Sequence, residues 1–393
     1  MRVRIATRIF EPEAAAAAFR LSALASALAS RGHAVTVVTS TPPKGSAVEP
    51  RTDGVRVRRA RVLRDVRGQL RGYVQYLSFD VPLFFRMLCS RRADIVVVEP
   101  PPTSGAVVRL ACALRRERYV YYAADVWSDA SATAGAPAAI VAALRLLERW
   151  AFRGARNVIA VSDGVADRVR DISGRNHVVV VRNGVDTDIF RPDGPRTADT
   201  STIVYAGTTS EWQGADVFIR AMPRVLERRP DARLVYLGQG TAWDELRELA
   251  ANLAPEAISF VDALPPEQAA TLLRSARVGV VSLKPGQGYD FAVPTKIFAS
   301  IACGTPVLFA GAGASVDIVT GELGRSVDWD AEPVAEAIAD MLAEDSPSSR
   351  LSRALWAKEN VSISATGRAA ASVVEEGASL DTARDIQQRP RTS

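Results

Sequence analysis

The chain has 393 residues, of which 48% are hydrophobic and 24% are charged. This composition is typical of a globular protein, and it excludes bulk disorder, a collagen-like fibre and a small disulfide-framed domain. The formal net charge of +5 is mild and predicts no nucleic-acid partner. At about 150 residues per domain, the length predicts two or three domains.

The N-terminal residues and the cysteines indicate the cellular compartment. The opening MRVRIATRIFEPE lacks the apolar core and the cleavage site of a secretory signal, so we expect a cytoplasmic protein. Cys89, Cys112 and Cys303 are widely spaced and odd in number, which predicts reduced thiols and no metal site. No run reaches the ~18 apolar residues of a membrane-spanning helix.

The first half of the chain alternates strand-like and helix-like segments. The predicted strands are 3–10, 35–40, 94–102, 118–127, 157–165 and 177–186, and the predicted helices are 19–30 and 137–152. Strands that alternate with helices build parallel sheets with helices on both faces.

The alternation restarts after a loop rich in Pro, Asp and Gly at 191–202, which is the best candidate for a domain boundary. The predicted strands of this half are 202–207, 232–238, 258–264, 278–283 and 305–311. We predict an α/β fold of two Rossmann-like, doubly wound domains, 1–192 and 193–365, facing each other across a cleft where ligands bind. A C-terminal helix at 366–380 is expected to return to the first domain, and 381–393 to form a frayed tail.

Several strings resemble the family-4 retaining glycosyltransferases of the two-domain GT-B fold. The most specific is VVVVRNGVDTDIFRPD at 178–193, which resembles the segment joining their two domains. Arg31 to Thr39 resembles their second strand, while 202–240 and 294–311 resemble their nucleotide-sugar domain. The resemblance implies retaining, metal-independent transfer of a sugar from a nucleotide-diphosphate sugar to an acceptor hydroxyl, with no cofactor besides that donor.

Two further strings resemble a subgroup that transfers amino or deoxy sugars to lipid-linked acceptors in polysaccharide assembly. They are Ala124 to Asp129 and Pro294 to Ala302. This resemblance implies a lipid-linked or cell-envelope glycan acceptor, met at the inner face of the plasma membrane.

The transfer requires cations and backbone N–H groups that stabilise the charge developing on the leaving diphosphate. A helix predicted from Pro294 offers its N-terminus, with Thr295 and Lys296 in the first turn. A lysine is unfavourable at the N-terminal end of a helix, so its presence there predicts a bound anion. Lys284, at the end of the preceding strand, can reach the same anion. The alternative for each lysine is a solvated surface position.

Glycines follow two predicted strands of the second half. Gly207 begins a loop in which most family members carry an arginine and a lysine, whereas this chain has Thr208 and Gln213. Gly238 and Gly240 follow the next strand. We predict that these five residues bind the donor, although a plain tight turn explains Gly238 and Gly240 equally well.

One departure from the family puts activity in doubt. Two glutamates that the family commonly carries are replaced here by Phe291 and Ala299. Either the donor ribose is held by Asp290 or by backbone, or the chain is a catalytically degenerate binding or partner protein. A sugar-nucleotide 2-epimerase is a weaker alternative, because such enzymes lack the 178–193 string and need acids and histidines that are scarce here.

The predicted acceptor side carries Arg20 and Asp125. Arg20 matches the subgroup pattern and is expected to meet a phosphate, while Asp125 follows a strand and is expected to orient the acceptor hydroxyl. With Lys296, these are the predicted catalytic residues. The alternatives are a surface arginine and an acid that caps a loop.

Residues 51–92 carry eleven arginines and three acids, a local charge of +8. The run 70–92 adds aromatic and aliphatic residues, and Pro82 predicts two short helices in place of one. A basic, amphipathic stretch is typical of anionic membrane surfaces, so we predict peripheral binding through 51–92. The alternative is that the apolar residues pack on the sheet.

Overall fold

The computed structural model describes residues 1–13, 15–43, 54–65, 70, 72–133, 135–175, 177–196, 201–287, 289–344 and 348–379. They form two compact units. The N-terminal unit comprises Met1–Asn183 and the segment that begins at Ile363, and the C-terminal unit comprises Gly184–Ser362. The predicted tail 381–393 lies outside the described residues.

Both units are parallel sheets with helices between the strands. The strands, in chain order, are β1 (Arg2–Ala6), β2 (Ala34–Ser40), β3 (Val55–Ala60), β4 (Ile95–Val98), β5 (Arg118–Ala123), β6 (Val158–Ala160), β7 (Val178–Val180), β8 (Thr202–Thr208), β9 (Arg233–Gln239), β10 (Ile258–Asp262), β11 (Val278–Ser282), β12 (Val307–Ala310) and β13 (Gly324–Val327). The sheet orders are β3-β2-β1-β4-β5-β6-β7 and β10-β9-β8-β11-β12-β13. The described strand pairs are parallel, as the alternation predicts.

The helices are α1 (Ala16–Ser30), α2 (Tyr73–Leu88), α3 (Pro102–Arg115), α4 (Trp127–Thr133), α5 (Ala138–Gly154), α6 (Asp163–Ser173), α7 (Asp216–Arg228), α8 (Trp243–Leu253), α9 (Pro266–Ser275), α10 (Thr295–Ala302), α11 (Ala331–Ala343), α12 (Ser348–Asn360) and α13 (Ile363–Ser379). Among the described residues, no helix is long and apolar enough to cross a membrane.

The predicted boundary after residue 192 is wrong, because the chain changes unit after Asn183. Val185 forms a bridge with Ser362, and Phe190 packs against the hydrophobic core of the C-terminal unit. These contacts tie 184–192 to the second unit. The predicted second boundary at 365 shifts likewise, since α13 starts at Ile363 in the first unit.

Helix α13 lies against α1 in the N-terminal unit. Ala370 and Val374 share its hydrophobic core with Leu21 and Leu24. A Cβ on Gly367 would lie 2.5 Å from the carbonyl oxygen of Ala23, so glycine lets the two helices approach closely. The segment farthest along the described chain therefore completes the first unit.

The basic region departs from the prediction in two ways. Residues 55–60 form the edge strand β3, which the sequence analysis missed. Residues 73–88 form the single helix α2 and not two short helices. Phe79, Leu83 and Met87 are buried on one side of α2, and this continuous apolar contact holds the helix together across the exposed Pro82.

The two sheets share a feature that places ligand sites. The strand order reverses between β1 and β4 in the first sheet and between β8 and β11 in the second. In parallel α/β sheets, ligands bind beyond the carboxyl ends of the strands at such a reversal. Candidate residues are therefore expected just after these four strands.

Candidate functional site

Lys296 lies at the carboxyl end of β8, in the first turn of α10. Its Nζ donates hydrogen bonds to the hydroxyl oxygen of Tyr205 at 2.7 Å and to the carbonyl of Thr208 at 3.0 Å. Nζ is also 4.1 Å from the centre of the Tyr205 ring. Among the described residues, no carboxylate lies within 4.0 Å of this nitrogen. Burial lowers the pKa of Lys296 to about 7, and a nearby anion would favour the charged form and raise that pKa again.

The glycines after β8 and β9 bring two backbones into contact. Gly207 pairs with Gly238 across the two strands. Gly238 has a φ of +142°, and a Cβ there would lie 2.1 Å from the carbonyl oxygen of Gly207. A Cβ on Gly240 would lie 1.9 Å from the carbonyl oxygen of Thr209. Both positions therefore require glycine, and they fix the loop that begins beside Lys296.

Gln213 acts within this loop. Its side chain is buried, and its amide oxygen accepts hydrogen bonds from the backbone N–H of Ser210 at 3.0 Å and from the hydroxyl of Tyr205 at 3.4 Å. The tyrosine thus links Gln213 to Lys296. Tyr205 was not among the predicted site residues. It could have been found as an aromatic residue with a hydroxyl group, two positions before a glycine at the end of a strand.

Lys284 follows β11 and contacts the far end of the loop that begins at Gly207. Its backbone N–H donates to the carbonyl of Trp212 at 3.0 Å, and its Nζ lies 5.0 Å from the centre of the Trp329 ring. Trp212 stacks on Tyr289 with ring centres 4.3 Å apart, and Trp329 donates to the carbonyl of Gly214 at 2.8 Å. The sequence analysis missed these three aromatic residues, which buttress the loop.

The remaining predicted donor residues lie on the approach to α10. Asp290 has one enclosed carboxylate oxygen with no hydrogen-bond partner, and its carbonyl accepts from the N–H of Ala314 at 3.0 Å. Pro294 precedes α10 and leaves its N-terminus without a side-chain cap. Thr295 is exposed in the first turn. The backbone N–H groups of this turn are therefore free of local side-chain acceptors.

The predicted acceptor residues meet at the carboxyl edge of the first sheet. Arg20 is buried and donates to Glu99 at 3.0 Å and to the side chain of Asn183 at 2.9 Å. Asp125 reaches solvent, yet desolvation by the surrounding protein raises the pKa of its carboxyl, and the positive charge of Arg20 opposes that rise. The analysis missed Glu99, although an acid directly after the apolar strand β4 was visible in the sequence.

Comparison with known proteins assigns both units. Residues 16–184 match the glycosyl transferase 4-like domain, and residues 200–344 match the glycosyl transferases group 1 domain. Each unit therefore resembles a glycosyltransferase domain. The second match contains the loop and Lys296, and the first contains Arg20 and Asp125.

Two curated relatives and one solved structure illustrate the similarity. D-inositol 3-phosphate glycosyltransferase of Corynebacterium aurimucosum is 27% identical over 190 residues, 43% of this chain and 44% of that protein. Phosphatidyl-myo-inositol mannosyltransferase of Mycobacterium tuberculosis is 32% identical over 192 residues, 47% of this chain and 48% of that protein. The chain spans about half the length of these relatives.

The solved structure is sucrose-phosphate synthase from Thermosynechococcus elongatus, which is 18% identical, covers 98% of both chains and has a TM-score of 0.67. With the two parallel sheets, it confirms the predicted GT-B fold of Rossmann-like domains. The amino- or deoxy-sugar subgroup and the facing cleft stay predictions.

Proposed function

We propose that this glycosyltransferase moves a sugar from a nucleotide-diphosphate sugar to the hydroxyl of a lipid-linked envelope acceptor, with retention of configuration and without a metal. The observation that carries the proposal is Lys296, a partly buried ammonium group without an acid partner among the described residues, set beside a glycine loop at a sheet reversal. The resemblance of 178–193 supports retention. The name of the mannosyltransferase relative supports an acceptor that carries a lipid.

The C-terminal unit supplies the donor side. The diphosphate is expected above the loop 207–214, where Lys296 and the free N–H groups of α10 present positive charge. Charge that develops on the leaving diphosphate strengthens these interactions in the transition state, which is how they accelerate transfer. Lys284 lies at the far end of the same loop and is expected to support Lys296.

The N-terminal unit supplies the acceptor side through Asp125. Because its pKa is raised, this carboxyl is suited to accept the proton of an attacking hydroxyl. Hydrogen bonds to Glu99 and Asn183 position the Arg20 side chain, so its positive charge stays close to Asp125. Arg20 is thereby expected to keep Asp125 ionised before the hydroxyl arrives.

The decisive experiment is a two-step assay on the purified full chain. Nucleotide-diphosphate sugars, including GDP-mannose and UDP-glucose, are screened by thermal shift, and the donors that bind are then tested for transfer of labelled sugar into a bacterial lipid extract. Labelled lipid supports the proposal. Donor binding without transfer or hydrolysis favours the degenerate binding protein, and absence of donor binding contradicts both.

We also propose that the N-terminal unit docks on anionic bilayers through α2. One side of this helix is apolar and more than half exposed, and it consists of Val74, Leu77, Val81 and Phe85. Their spacing places them on one helical face. Arg86 donates to the carbonyl of Arg58 at 2.9 Å, so the exposed arginines of β3 lie beside α2 and complement anionic headgroups.

The hydrogen bonds of these arginines indicate which of them are available to a bilayer. Arg59 donates to the carbonyl of Ser40 at 3.3 Å, and Arg64 pairs with Glu13 at 2.9 Å. Both therefore bond within the unit, whereas Arg58 and Arg61 are exposed. The arginines at 51, 67 and 71 lie outside the described residues.

Vesicle flotation tests this surface. We expect the chain to float with vesicles containing anionic lipid at low salt and less at high salt. Phe85→Glu should abolish flotation, and R58Q combined with R61Q should weaken it. Leu351→Glu is the matched control, because Leu351 is an equally exposed leucine of the C-terminal unit. Flotation that survives Phe85→Glu, or none under any condition, would show that the surface does not bind membranes.

A further inference from the structure

We propose that Arg8, flanked by Tyr76 and Trp127, forms a phosphate-binding subsite of the N-terminal unit. Under the function proposed above, it holds the phosphate group of the acceptor. Arg8 belongs to none of the sequence motifs described above, and its surroundings in the folded unit distinguish it from the other arginines.

Arg8 follows β1, one of the two strands at the reversal of the first sheet. The side chain is 9% exposed. Its Cζ lies 4.0 Å from the centre of the Tyr76 ring and 5.9 Å from that of Trp127, and the two rings meet edge to face at 5.5 Å. The guanidinium is therefore held by aromatic contacts at the end of the sheet where ligands bind.

Two of the three nitrogens of this guanidinium are enclosed without hydrogen-bond partners. Nε and Nη1 are enclosed, and neither makes a hydrogen bond within the described part of the chain. Two other buried arginines of the unit are paired with acids, Arg4 with Glu117 at 3.2 Å and Arg20 with Glu99 at 3.0 Å. A buried, unpaired cation costs folding free energy, which an anionic ligand would recover.

Two buried acids of this unit, Asp80 and Glu148, each accept hydrogen bonds from groups other than Arg8. Asp80 accepts a hydrogen bond from Ser104 in the first turn of α3. Burial raises the pKa of the Asp80 carboxyl, and the Ser104 hydroxyl and the positive charge of Arg8 only partly oppose that rise. Glu148 accepts from the backbone N–H groups of Trp127 and Ser128 at the start of α4. Glu148 therefore caps the N-terminus of α4, whereas one carboxylate oxygen of Asp80 is enclosed and makes no hydrogen bond. Neither carboxylate forms an ion pair with Arg8 among the described residues.

This combination selects the ligand chemistry. A guanidinium binds phosphate through parallel N–H groups, and the partly exposed faces of Tyr76 and Trp127 offer a surface for an adjoining sugar or cyclitol ring. Asp125 lies two residues before Trp127. An acceptor that bears a phosphate next to its ring is thus bound by Arg8 while a hydroxyl of the ring is presented to Asp125.

Calorimetric titration of the full chain with D-inositol 3-phosphate, a free phosphate monoester, tests the subsite, and phosphatidylinositol in phosphatidylcholine vesicles provides the lipid-borne arm. We expect Arg8→Gln to weaken binding at least tenfold and Arg8→Lys to weaken it less. Arg109→Gln is the matched control, because Arg109 also stacks on an aromatic ring, 4.4 Å from the centre of Trp150. Urea unfolding verifies that each variant is folded, and Tyr76→Leu provides a second test that keeps the charge.

The outcomes separate this inference from the proposed function. Binding of either probe that depends on Arg8 supports the subsite, and the arm that responds identifies a free or a lipid-borne phosphate. If neither probe binds, or if Arg8→Gln and Tyr76→Leu bind both as the wild type does, the subsite is wrong. Arg8-dependent binding in a protein that takes no nucleotide sugar would overturn the proposed transfer and leave the subsite standing.

Discussion

At the scale of single residues, the buried and partly buried cations differ in whether an acid lies beside them. Lys296, Arg8 and Arg20 all lie at carboxyl ends of strands, yet Arg20 has an acid partner and the other two have none among the described residues. A paired cation is a fixed structural charge, whereas an unpaired one gains a partner only when a ligand binds. We therefore expect anionic ligands to bind at Lys296 and Arg8, the two of these cations without acid partners in the described part of the chain.

Lys296 gives a pH-dependent prediction. Its pKa is lowered from 10.5 to about 7, so the unfolded state binds more protons between these values and the stability of the free protein rises with pH in that window. Nucleotide-diphosphate affinity should do the opposite. It should fall above pH 7 by up to tenfold per unit, because the anion binds the charged lysine.

Titration calorimetry from pH 6 to 9 with wild type, Lys296→Met and the control Lys358→Met checks this. Lys296→Met should bind at least tenfold more weakly at pH 6.5, since a charged hydrogen bond contributes roughly 1.5–3 kcal/mol, and should lose the pH dependence. Lys358 is exposed on α12, so Lys358→Met should change neither the affinity nor its pH dependence. An unchanged pH profile in Lys296→Met would exclude the lysine from donor binding.

Asp125 should affect turnover more than donor affinity. Asp125→Asn removes the proton acceptor while keeping the shape, so we expect kcat for transfer to fall at least a hundredfold with nucleotide affinity changed less than twofold. Steady-state kinetics and calorimetry measure the two separately. Asp129→Asn is the control, because Asp129 is paired with Arg168 at 2.6 Å. Equal losses in the two variants would assign Asp125 a structural role.

At the scale of elements, the close contact of β8 and β9 determines the shape of the donor loop. The two strand ends touch backbone to backbone at Gly207 and Gly238, and the loop then turns back through Gln213 to Tyr205. Hydrogen bonds and glycine contacts thus preorganise the loop. Under the proposed function, a loop that is already ordered would need no rearrangement when the diphosphate leaves.

Gly238→Ala should therefore damage donor binding and stability together. Its Cβ would meet the Gly207 carbonyl at 2.1 Å, so the loop must move, and we expect a loss of about 2–4 kcal/mol in unfolding free energy. Gly286→Ala shares a positive φ of +74° but meets nothing within 4 Å, so it should cost about 1 kcal/mol. Urea unfolding compares the two, and similar losses would contradict the steric argument.

At the scale of the whole molecule, the two units differ in how the chain builds them. The C-terminal unit is one continuous segment, Gly184–Ser362, whereas the N-terminal unit needs α13 from the end of the chain. Ala370, Ala371 and Val374 are buried in its core. Removing α13 exposes apolar surface on α1, so the first unit depends on a segment that is synthesised after the second.

Fragments should behave accordingly. Residues 184–362 should fold cooperatively when expressed alone, and residues 1–183 should be insoluble or bind a hydrophobic dye. Joining 363–379 to residues 1–183 through a flexible linker should restore a cooperative thermal transition. Circular dichroism and calorimetry measure these outcomes. A cooperatively folded 1–183 fragment would show that α13 is dispensable.

Sequence patterns by themselves determined the alternation of strands and helices, and the resemblance to a known family added the two-domain GT-B class. The donor residues stay predictions. The strands and the glycine positions depend on local signals, since buried parallel strands are apolar runs and glycines mark strand ends that need unusual backbone. The predicted helix start at Pro294 and the residues Lys296, Gly207 and Gly238 follow from such signals.

Only the tertiary structure decided the unit boundary, the course of α2 and the partners of each charge. The sequence of 184–192 predicts part of the first domain, but Val185 and Phe190 attach this segment to the second unit. Pro82 predicts a break between two helices, but it lies on the exposed side of one continuous helix. Arg8 and Arg59 are both arginines in basic surroundings, yet one lacks hydrogen bonds at two of its nitrogens and the other is bonded to backbone. Long-range packing sets these differences, because the distance between groups far apart in sequence is fixed only when the chain is folded.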